Sequence, residues 1–173
     1  MKINKVIITI FILFSIVSSG YAQSKIEGKF EAGYILFNHI NSQKFNNSRL
    51  ADESYGLNLN AICGLQPSEK AFVGLGLGYL NFDLSNSGIH GITAFSTFEF
   101  IPPTYKKTKF YLRSNLGYSQ RWSRQSKERG TSILELNLGL KRRMNHKMKL
   151  YMHSGVLFTQ RSVFIPIRLG VGF

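Results

Sequence analysis

Cysteine, acidic residues and long apolar runs are all scarce in this sequence. Cys63 is the only cysteine, which excludes an internal disulfide and a Cys-x-x-Cys metal pair; we expect it to be a small apolar residue on a strand. No stretch beyond residue 22 stays apolar over the roughly 20 residues that a membrane-spanning helix needs. If the mature chain lies in a membrane, it must therefore cross it as a closed β-barrel.

The shortage of acids leaves a strongly basic chain. Nine Asp and Glu oppose 22 Lys and Arg, which gives a formal net charge of +13. Such a charge raises the question of a nucleic-acid partner, but the basic residues form no single patch and recur in turns and at strand ends. We therefore expect no nucleic-acid partner. A hydrophobic content of 43% excludes a disordered chain, and 173 residues predict one domain.

Residues 1–22 are typical of a cleaved secretory signal. Two lysines precede a short apolar run, and the small residues Gly20 and Ala22 occupy the −3 and −1 positions before Gln23. The run is shorter than a membrane-spanning helix, and no cysteine follows the cleavage position, so neither an anchor nor a lipoprotein is expected. We predict cleavage between Ala22 and Gln23, which leaves residues 23–173 as one exported domain.

Eight segments of strict alternation follow the signal. Apolar residues alternate with small or polar ones at a period of two, which is the pattern of a β-strand. The predicted strands are residues 28–37, 54–65, 71–82, 89–101, 109–122, 131–142, 147–160 and 162–173. They reach about ten residues or more, the length that a tilted strand needs to cross a bilayer, whereas strands in soluble proteins cluster near five or six.

Charged residues inside these strands share the face opposite to the aliphatic row. This set contains Glu31, Glu99, Arg113, Glu135, Lys149 and Arg168. On a lipid-facing side, an Arg or Lys at mid-depth would cost about 2–4 kcal/mol. The same face is rich in Gly, Asn and Thr, which suits a crowded, narrow lumen. The alternative is a soluble secreted barrel or sandwich that has the aliphatic face as its core.

The closing segment SVFIPIRLGVGF ends on Phe173. A terminal aromatic on a last strand resembles the sorting signal of Gram-negative outer-membrane barrels. The whole mature chain resembles the small eight-stranded outer-membrane β-barrel proteins (the OmpX-like, or outer membrane protein beta-barrel domain, family). The resemblance implies an all-β, antiparallel up-and-down barrel in the outer membrane, placed there by the barrel-insertion machinery. We expect a monomer surrounded by lipid and by lipopolysaccharide, whose phosphates attract a basic protein.

An even strand number with both ends on the periplasmic side fixes the topology. The expected outer connections are residues 38–53, 83–88, 123–130 and a short link near Arg161. The expected periplasmic turns lie at residues 66–69, at residues 102–108 after the strand-ending Pro102 and Pro103, and near Asn145. Aromatic residues near strand ends fit interfacial girdles: Trp122, Tyr118, Tyr79 and Tyr111.

Candidate catalytic and ligand-binding residues fall short of a recognisable set. The glycine-rich run VGLGLGYL at residues 73–80 lacks the helix N-terminus of a phosphate site, so we expect its glycines to make room for bulky neighbours. His153 and Ser154 are adjacent on a strand and must point to opposite faces. His90 is accompanied only by polar rim residues, which are Asp83, Ser85 and Ser87. His39 and His146 have no second ligand at metal spacing. No catalytic residue, cofactor or metal site is therefore predicted.

The charged lumen residues are the candidate site. Closure of the barrel would bring Glu31 near Arg168, and neighbouring strands would bring Glu99 near Arg113. We expect structural pairing inside a filled barrel, and a gated ion path is the alternative. The expected function is a non-enzymatic structural or surface-interaction role. A narrow pore and a lipid A-modifying enzyme are the alternatives.

Overall fold

The computed structural model describes residues 25–37, 55–81, 90–104, 107–122, 130–145, 148–160 and 163–173. Within these ranges, no helix is long and apolar enough to cross a membrane. Several predictions lie outside the described residues: the signal peptide with its cleavage between Ala22 and Gln23, the loop at residues 38–53, His39, His146, Asp83, Ser85 and Ser87.

Eight strands account for the regular structure of the described chain. They are β1 (Lys25–Phe37), β2 (Tyr55–Ser68), β3 (Ala71–Asn81), β4 (His90–Phe100), β5 (Thr108–Trp122), β6 (Thr131–Arg143), β7 (Lys149–Thr159) and β8 (Val163–Gly172). The predicted strands match these bounds to within three residues. Alternation of apolar and polar residues identifies the middle of a strand well. It identifies the ends less well, because the alternation fades where the chain leaves the sheet.

The sheet closes on itself. Each strand pairs antiparallel with the next, and β8 pairs with β1, which gives an eight-stranded up-and-down barrel. The predicted fold class is confirmed. We call the end that carries the β2–β3, β4–β5 and β6–β7 connections the turn end, and the opposite end the loop end. In the predicted topology, the turn end faces the periplasm.

The predicted turn between β2 and β3 is present, but its predicted bounds, residues 66–69, are wrong. Strand β2 continues to Ser68, and the turn is formed by Glu69 and Lys70. The β2–β3 register shifts between Leu65 and Ser68. Proline has no N–H to give to the ladder and is accommodated at bulges, so Pro67 interrupts the pairing without ending the strand.

Apolar side chains cover the outside of the barrel. Leu75 is 72% exposed and Leu77 63% exposed, whereas Phe72 and Leu80, which point inward from the same strand, are buried. A soluble sandwich would have the aliphatic face as its core, which is the reverse of this arrangement. An apolar exterior of this extent requires lipid around it. Cys63 lies exposed on the same outer face of β2.

The aromatic girdle is correct in part. Tyr118 and Trp122 are exposed at the loop-end portion of β5. Tyr111 is only 1% exposed and lies inside the lumen, so its assignment to the girdle is wrong. Its neighbours Phe110 and Leu112 point outward. Because successive side chains of a strand alternate between the two faces, Tyr111 points inward.

Candidate functional site: the ion-paired lumen

Inward positions of six strands fill the turn-end half and the middle of the barrel with charge. The predicted residues Glu31, Glu99, Arg113, Glu135, Lys149 and Arg168 all lie there, together with Glu27, Lys29, Lys141 and His153. The sequence argument did not include these last four in the cluster. Their parity along β1, β6 and β7 could have identified them, since each shares the face of a residue already assigned to the lumen.

Three lysines surround Glu27 at the turn end. Its carboxylate lies 3.3 Å from Lys141 Nζ and 3.8 Å from Lys29 Nζ, and it accepts a hydrogen bond from Lys149. Lys149 also donates to Gln66 Oε1 at 3.0 Å. The predicted lumen residue Lys149 therefore joins a group centred on β1, which carries more cations than carboxylates.

Arg113 is the centre of the next group. Its Nε donates to Glu99 Oε1 at 2.8 Å, and its Nη1 donates to Glu31. Lys29 Nζ also contacts Glu99 Oε1, at 2.6 Å, and lies 3.4 Å from the centroid of the Phe72 ring. His153 Nε2 is 3.4 Å from Glu31 Oε2. The structure thus brings Glu31, Glu99 and Arg113 together.

Arg168 does not pair with Glu31, so that expectation is wrong. Its guanidinium donates to both carboxylate oxygens of Glu135, at 3.2 Å for the Nη2–Oε2 contact, and its Nε donates to Asn58. In the β1–β8 register, Arg168 lies opposite Gly33. The long side chain instead reaches into the lumen and meets β6, where Glu135 offers the two-pronged geometry that a guanidinium prefers.

The pairing of these charges answers a physical requirement. A buried ion without a partner is expensive, and leaving one member of a buried pair alone costs about 3–5 kcal/mol. Glu31, Glu99 and Arg113 are each less than 5% exposed. Their contacts cross between strands, so the network holds opposite walls of the barrel at a fixed separation.

Apolar side chains fill the loop-end half of the lumen. Ile35, Leu80, Ile133, Leu157 and Phe164 belong to one buried cluster. Between this cluster and the Arg168–Glu135 pair, the described residues leave a cavity of about 20 Å³. Such a space holds about one water molecule. Arg121 is also buried in this half, with its guanidinium 5.5 Å from the centroid of the Phe164 ring. Within the described residues, the lumen is therefore filled by an apolar cluster with one enclosed arginine in its loop-end half and by ion pairs in its turn-end half.

Aromatic rings inside the barrel lie over glycines of neighbouring strands. A Cβ at Gly76 would come within 2.5 Å of Phe95 Cε2, and one at Gly139 within 2.5 Å of Tyr111 Cζ. Gly76 belongs to the run VGLGLGYL, which forms β3. The run makes room for large rings, as expected, and it precedes no helix among the described residues.

The histidines form no catalytic arrangement in the described chain. His153 is buried whereas Ser154 is exposed, so they face opposite sides of β7. On the outer face, Tyr79 Oη lies 2.6 Å from His90 Nδ1, and the His90 ring stacks between Tyr79 and Trp122. Within the described residues, no three His, Cys, Asp or Glu side chains gather in a way that could hold a metal ion.

Two solved structures have a fold similar to that of this chain. The chain is similar to Neisserial surface protein A, with a TM-score of 0.67 and 9% identity over 86% of this chain and 97% of that chain. It is also similar to the N-terminal β-barrel domain of Pseudomonas aeruginosa OprF, with a TM-score of 0.55 and 14% identity over 87% of this chain and 98% of that domain. No protein-family model and no curated protein sequence matches the chain.

These likenesses define the fold. The chain has the fold of the small eight-stranded outer-membrane β-barrels, in agreement with the resemblance to OmpX-like proteins. A closed barrel with an apolar exterior is the form in which β-structure crosses a membrane. The predicted outer-membrane location is supported by both observations.

Proposed function

We propose that this chain is a non-enzymatic integral outer-membrane β-barrel with a structural or surface-interaction role. The observation that carries the proposal is the filled lumen. Paired charges occupy its turn-end half, and apolar side chains together with the buried Arg121 occupy its loop-end half, with space for about one water between them. A barrel built in this way serves through its stability and its outer surface rather than through its interior.

A narrow pore is the alternative function. An ion crossing the barrel would have to separate the Arg168–Glu135 pair and then pass Leu80, Leu157 and Phe164, which are all buried. Breaking a buried pair is costly. The apolar layer also contains the buried cation Arg121, 5.5 Å from the centroid of the Phe164 ring, which makes it an unfavourable environment for a second cation. This arrangement favours a closed barrel over a gated ion path.

A lipid A-modifying enzyme is the second alternative. Such chemistry needs a nucleophile, a base and an orienting group within hydrogen-bonding reach of one another. His90 is the described histidine nearest the loop end, and its ring is engaged by Tyr79. A surface-interaction role instead fits the basic composition of the chain, which favours contact with the phosphates of lipopolysaccharide. Insertion would depend on the barrel-insertion machinery.

The proposal is tested in three steps. The protein should fractionate with the outer membrane and migrate faster on gels before heating than after it. The refolded protein should give no steady conductance in planar bilayers, with a general porin in the same chamber as the positive control. Lipid A from a deletion strain should have the same mass spectrum as wild type. Regular conductance steps would favour the pore, and an altered lipid A would favour the enzyme.

A further inference from the structure

The outer surface of the barrel carries a long apolar groove. Its volume is about 630 Å³, within the ~300–1,000 Å³ typical of small-molecule sites. The outward-facing side chains that line it are Phe30, Ala32, Leu59, Ala61, Leu77, Tyr79, Leu150, Leu169 and Val171. The groove lies across five adjacent strands, β7, β8, β1, β2 and β3, on the face that contacts lipid.

Two parallel rows of cross-strand neighbours form the groove. One row is Leu150, Val171, Phe30, Ala61 and Leu77, and the other is Leu169, Ala32, Leu59 and Tyr79. The first row begins near the turn end of β7, and the second ends near the loop end of β3. Four interstrand steps of about 4.8 Å give a path of roughly 19 Å across the strands. Because barrel strands tilt by about 35–45°, this path rises by about 11–13 Å along the membrane normal, which is close to the depth of one leaflet of the ~30 Å hydrocarbon core.

Two alanines produce the depression. Ala32 and Ala61 lie one in each row, and both are exposed on the outer face. Their neighbours in the same rows are large, since Phe30 is 59% exposed and Leu169 58% exposed. Small side chains between large ones leave a furrow with apolar walls, which can accept a hydrocarbon chain.

A cation lies at the turn end of the groove. Arg142 of β6 is the cross-strand partner of Leu150, and its side chain is exposed. The described acids of this end are otherwise engaged, because Glu27 pairs with lumen lysines and Glu69 lies 3.8 Å from Lys109. A guanidinium is well suited to bind a phosphate. The other end is closed by Tyr79, whose hydroxyl contacts His90.

We propose that the groove holds one acyl chain of an anionic phospholipid, whose phosphate pairs with Arg142. The lipid belongs to the leaflet at the turn end. This inference rests on the proposed membrane-embedded barrel and adds a specific lipid site to it. A second copy of the chain would bring a matching apolar row, but its exposed acid at this end, Glu69, lies in the β2–β3 turn beside Lys109 and outside that row. A phospholipid joins its apolar chain directly to a phosphate. Charge complementarity therefore favours the phospholipid.

The test counts lipids that stay bound. The barrel is refolded into vesicles of equal phosphatidylglycerol and phosphatidylcholine, extracted in mild detergent and examined by native mass spectrometry. Wild type should retain one phosphatidylglycerol. Ala32→Leu with Ala61→Leu should reduce retention at least about tenfold, because the two leucines fill the furrow and remove the van der Waals packing that holds an acyl chain where no water is displaced. Arg142→Gln should keep a lipid but lower the preference for phosphatidylglycerol about fivefold.

Ala94→Leu is the matched control. Ala94 is exposed on β4 in the row that continues from Leu77, but it does not line the groove, so this variant should retain lipid as wild type does. The two groove substitutions are also made singly, so that a double variant that fails to fold does not end the test.

Each other outcome contradicts a defined claim. The lipid site would be overturned if the Ala32→Leu, Ala61→Leu variant retained as much lipid as wild type, or if wild type retained none. An unchanged lipid preference in Arg142→Gln would overturn the phosphate contact. Dimers that vanish when the groove is filled would assign it to a second copy. Gel migration is checked first, because a wild-type barrel that does not insert would contradict the proposed function and not this inference.

Discussion

Arg168 and Glu135 join β8 to β6 across the lumen, and both are buried. Removing one partner leaves the other ion without compensation, which costs about 3–5 kcal/mol. Arg168→Met and Glu135→Gln should therefore each destabilise the barrel, and the double variant should lose less than the sum of the two. Urea unfolding in lipid vesicles measures the three free energies.

The control for this cycle is Glu69→Gln combined with Arg168→Met. Glu69 lies in the β2–β3 turn and contacts Lys109, so its effect should add to that of Arg168→Met within about 0.5 kcal/mol. Additive behaviour of the Arg168 and Glu135 variants would contradict the pair.

Gly76 should resist even the smallest side chain. A Cβ there would contact the Phe95 ring at 2.5 Å, and displacing a ring in a filled lumen costs about 1–3 kcal/mol. Gly76→Ala should lower the free energy of unfolding by that amount, again read by urea unfolding in vesicles. Gly28→Ala is the control, since a Cβ at Gly28 has no neighbour within 4 Å. Equal effects of the two substitutions would contradict the role assigned to the Phe95 ring.

At the scale of strands, the sequence predicts which face a residue occupies but not which residue lies opposite it. Parity places Glu31 and Arg168 in the lumen, because a slip of one residue would turn either charge toward lipid. The register between β1 and β8 is a property of barrel closure. It sets Arg168 opposite Gly33, and no local pattern encodes that offset.

The turns show a second limit of the sequence. Pro102 and Pro103 follow the end of β4 as predicted, because two prolines in a row cannot give N–H groups to the ladder. A single proline at position 67 has a different effect. Pro67 lies where the β2–β3 register shifts and does not end the strand. A prediction from composition therefore places the β2–β3 turn too early in the chain.

The placement of the turns leads to a labelling prediction. In a Cys63→Ser background, a cysteine at Ser48 should react with an impermeant maleimide on whole cells, because residues 38–53 are expected outside. A cysteine at Thr104, between β4 and β5, should react only after the outer membrane is opened. The reverse pattern would invert the topology.

At the scale of the molecule, Phe173 completes the closure of the barrel. Its N–H donates to the Gly28 carbonyl at 2.9 Å, and its ring meets Phe30 edge-on with centroids 6.5 Å apart. Deleting Phe173 removes both contacts, so the amount of folded protein in the outer membrane should fall. Gel migration without heating measures it.

Phe173→Ala separates the two contributions of this residue. It keeps the backbone hydrogen bonds and loses the ring, so it should show an intermediate defect. Normal insertion of the deletion variant would contradict both the closing role and the predicted sorting signal.

The interior could be predicted only in outline. Parity gives a lumen of charges, glycines and aromatics, but the partners of Arg113 lie 82 residues away on β1 and 14 residues away on β4. The curvature of the barrel decides which inward side chains meet. The distances between side chains of different strands cannot be read from the pattern of any single strand. The lipid-facing groove escaped prediction for the same reason, since Leu150, Leu169 and Val171 join the two alanines in one furrow only after β8 pairs with β1.

The ion pairs of the lumen also constrain the order of assembly. Glu31 on β1 finds its arginine on β5, and two of the three lysines around Glu27 lie on β6 and β7, which are synthesised and delivered later. An open sheet of the first four strands therefore carries unsatisfied carboxylates that need hydration. We expect the inner face of the growing sheet to stay hydrated, and water to leave the interior only when the last strand pairs with the first. Dehydration and closure would then be a single cooperative event, the step that commits the chain to the membrane.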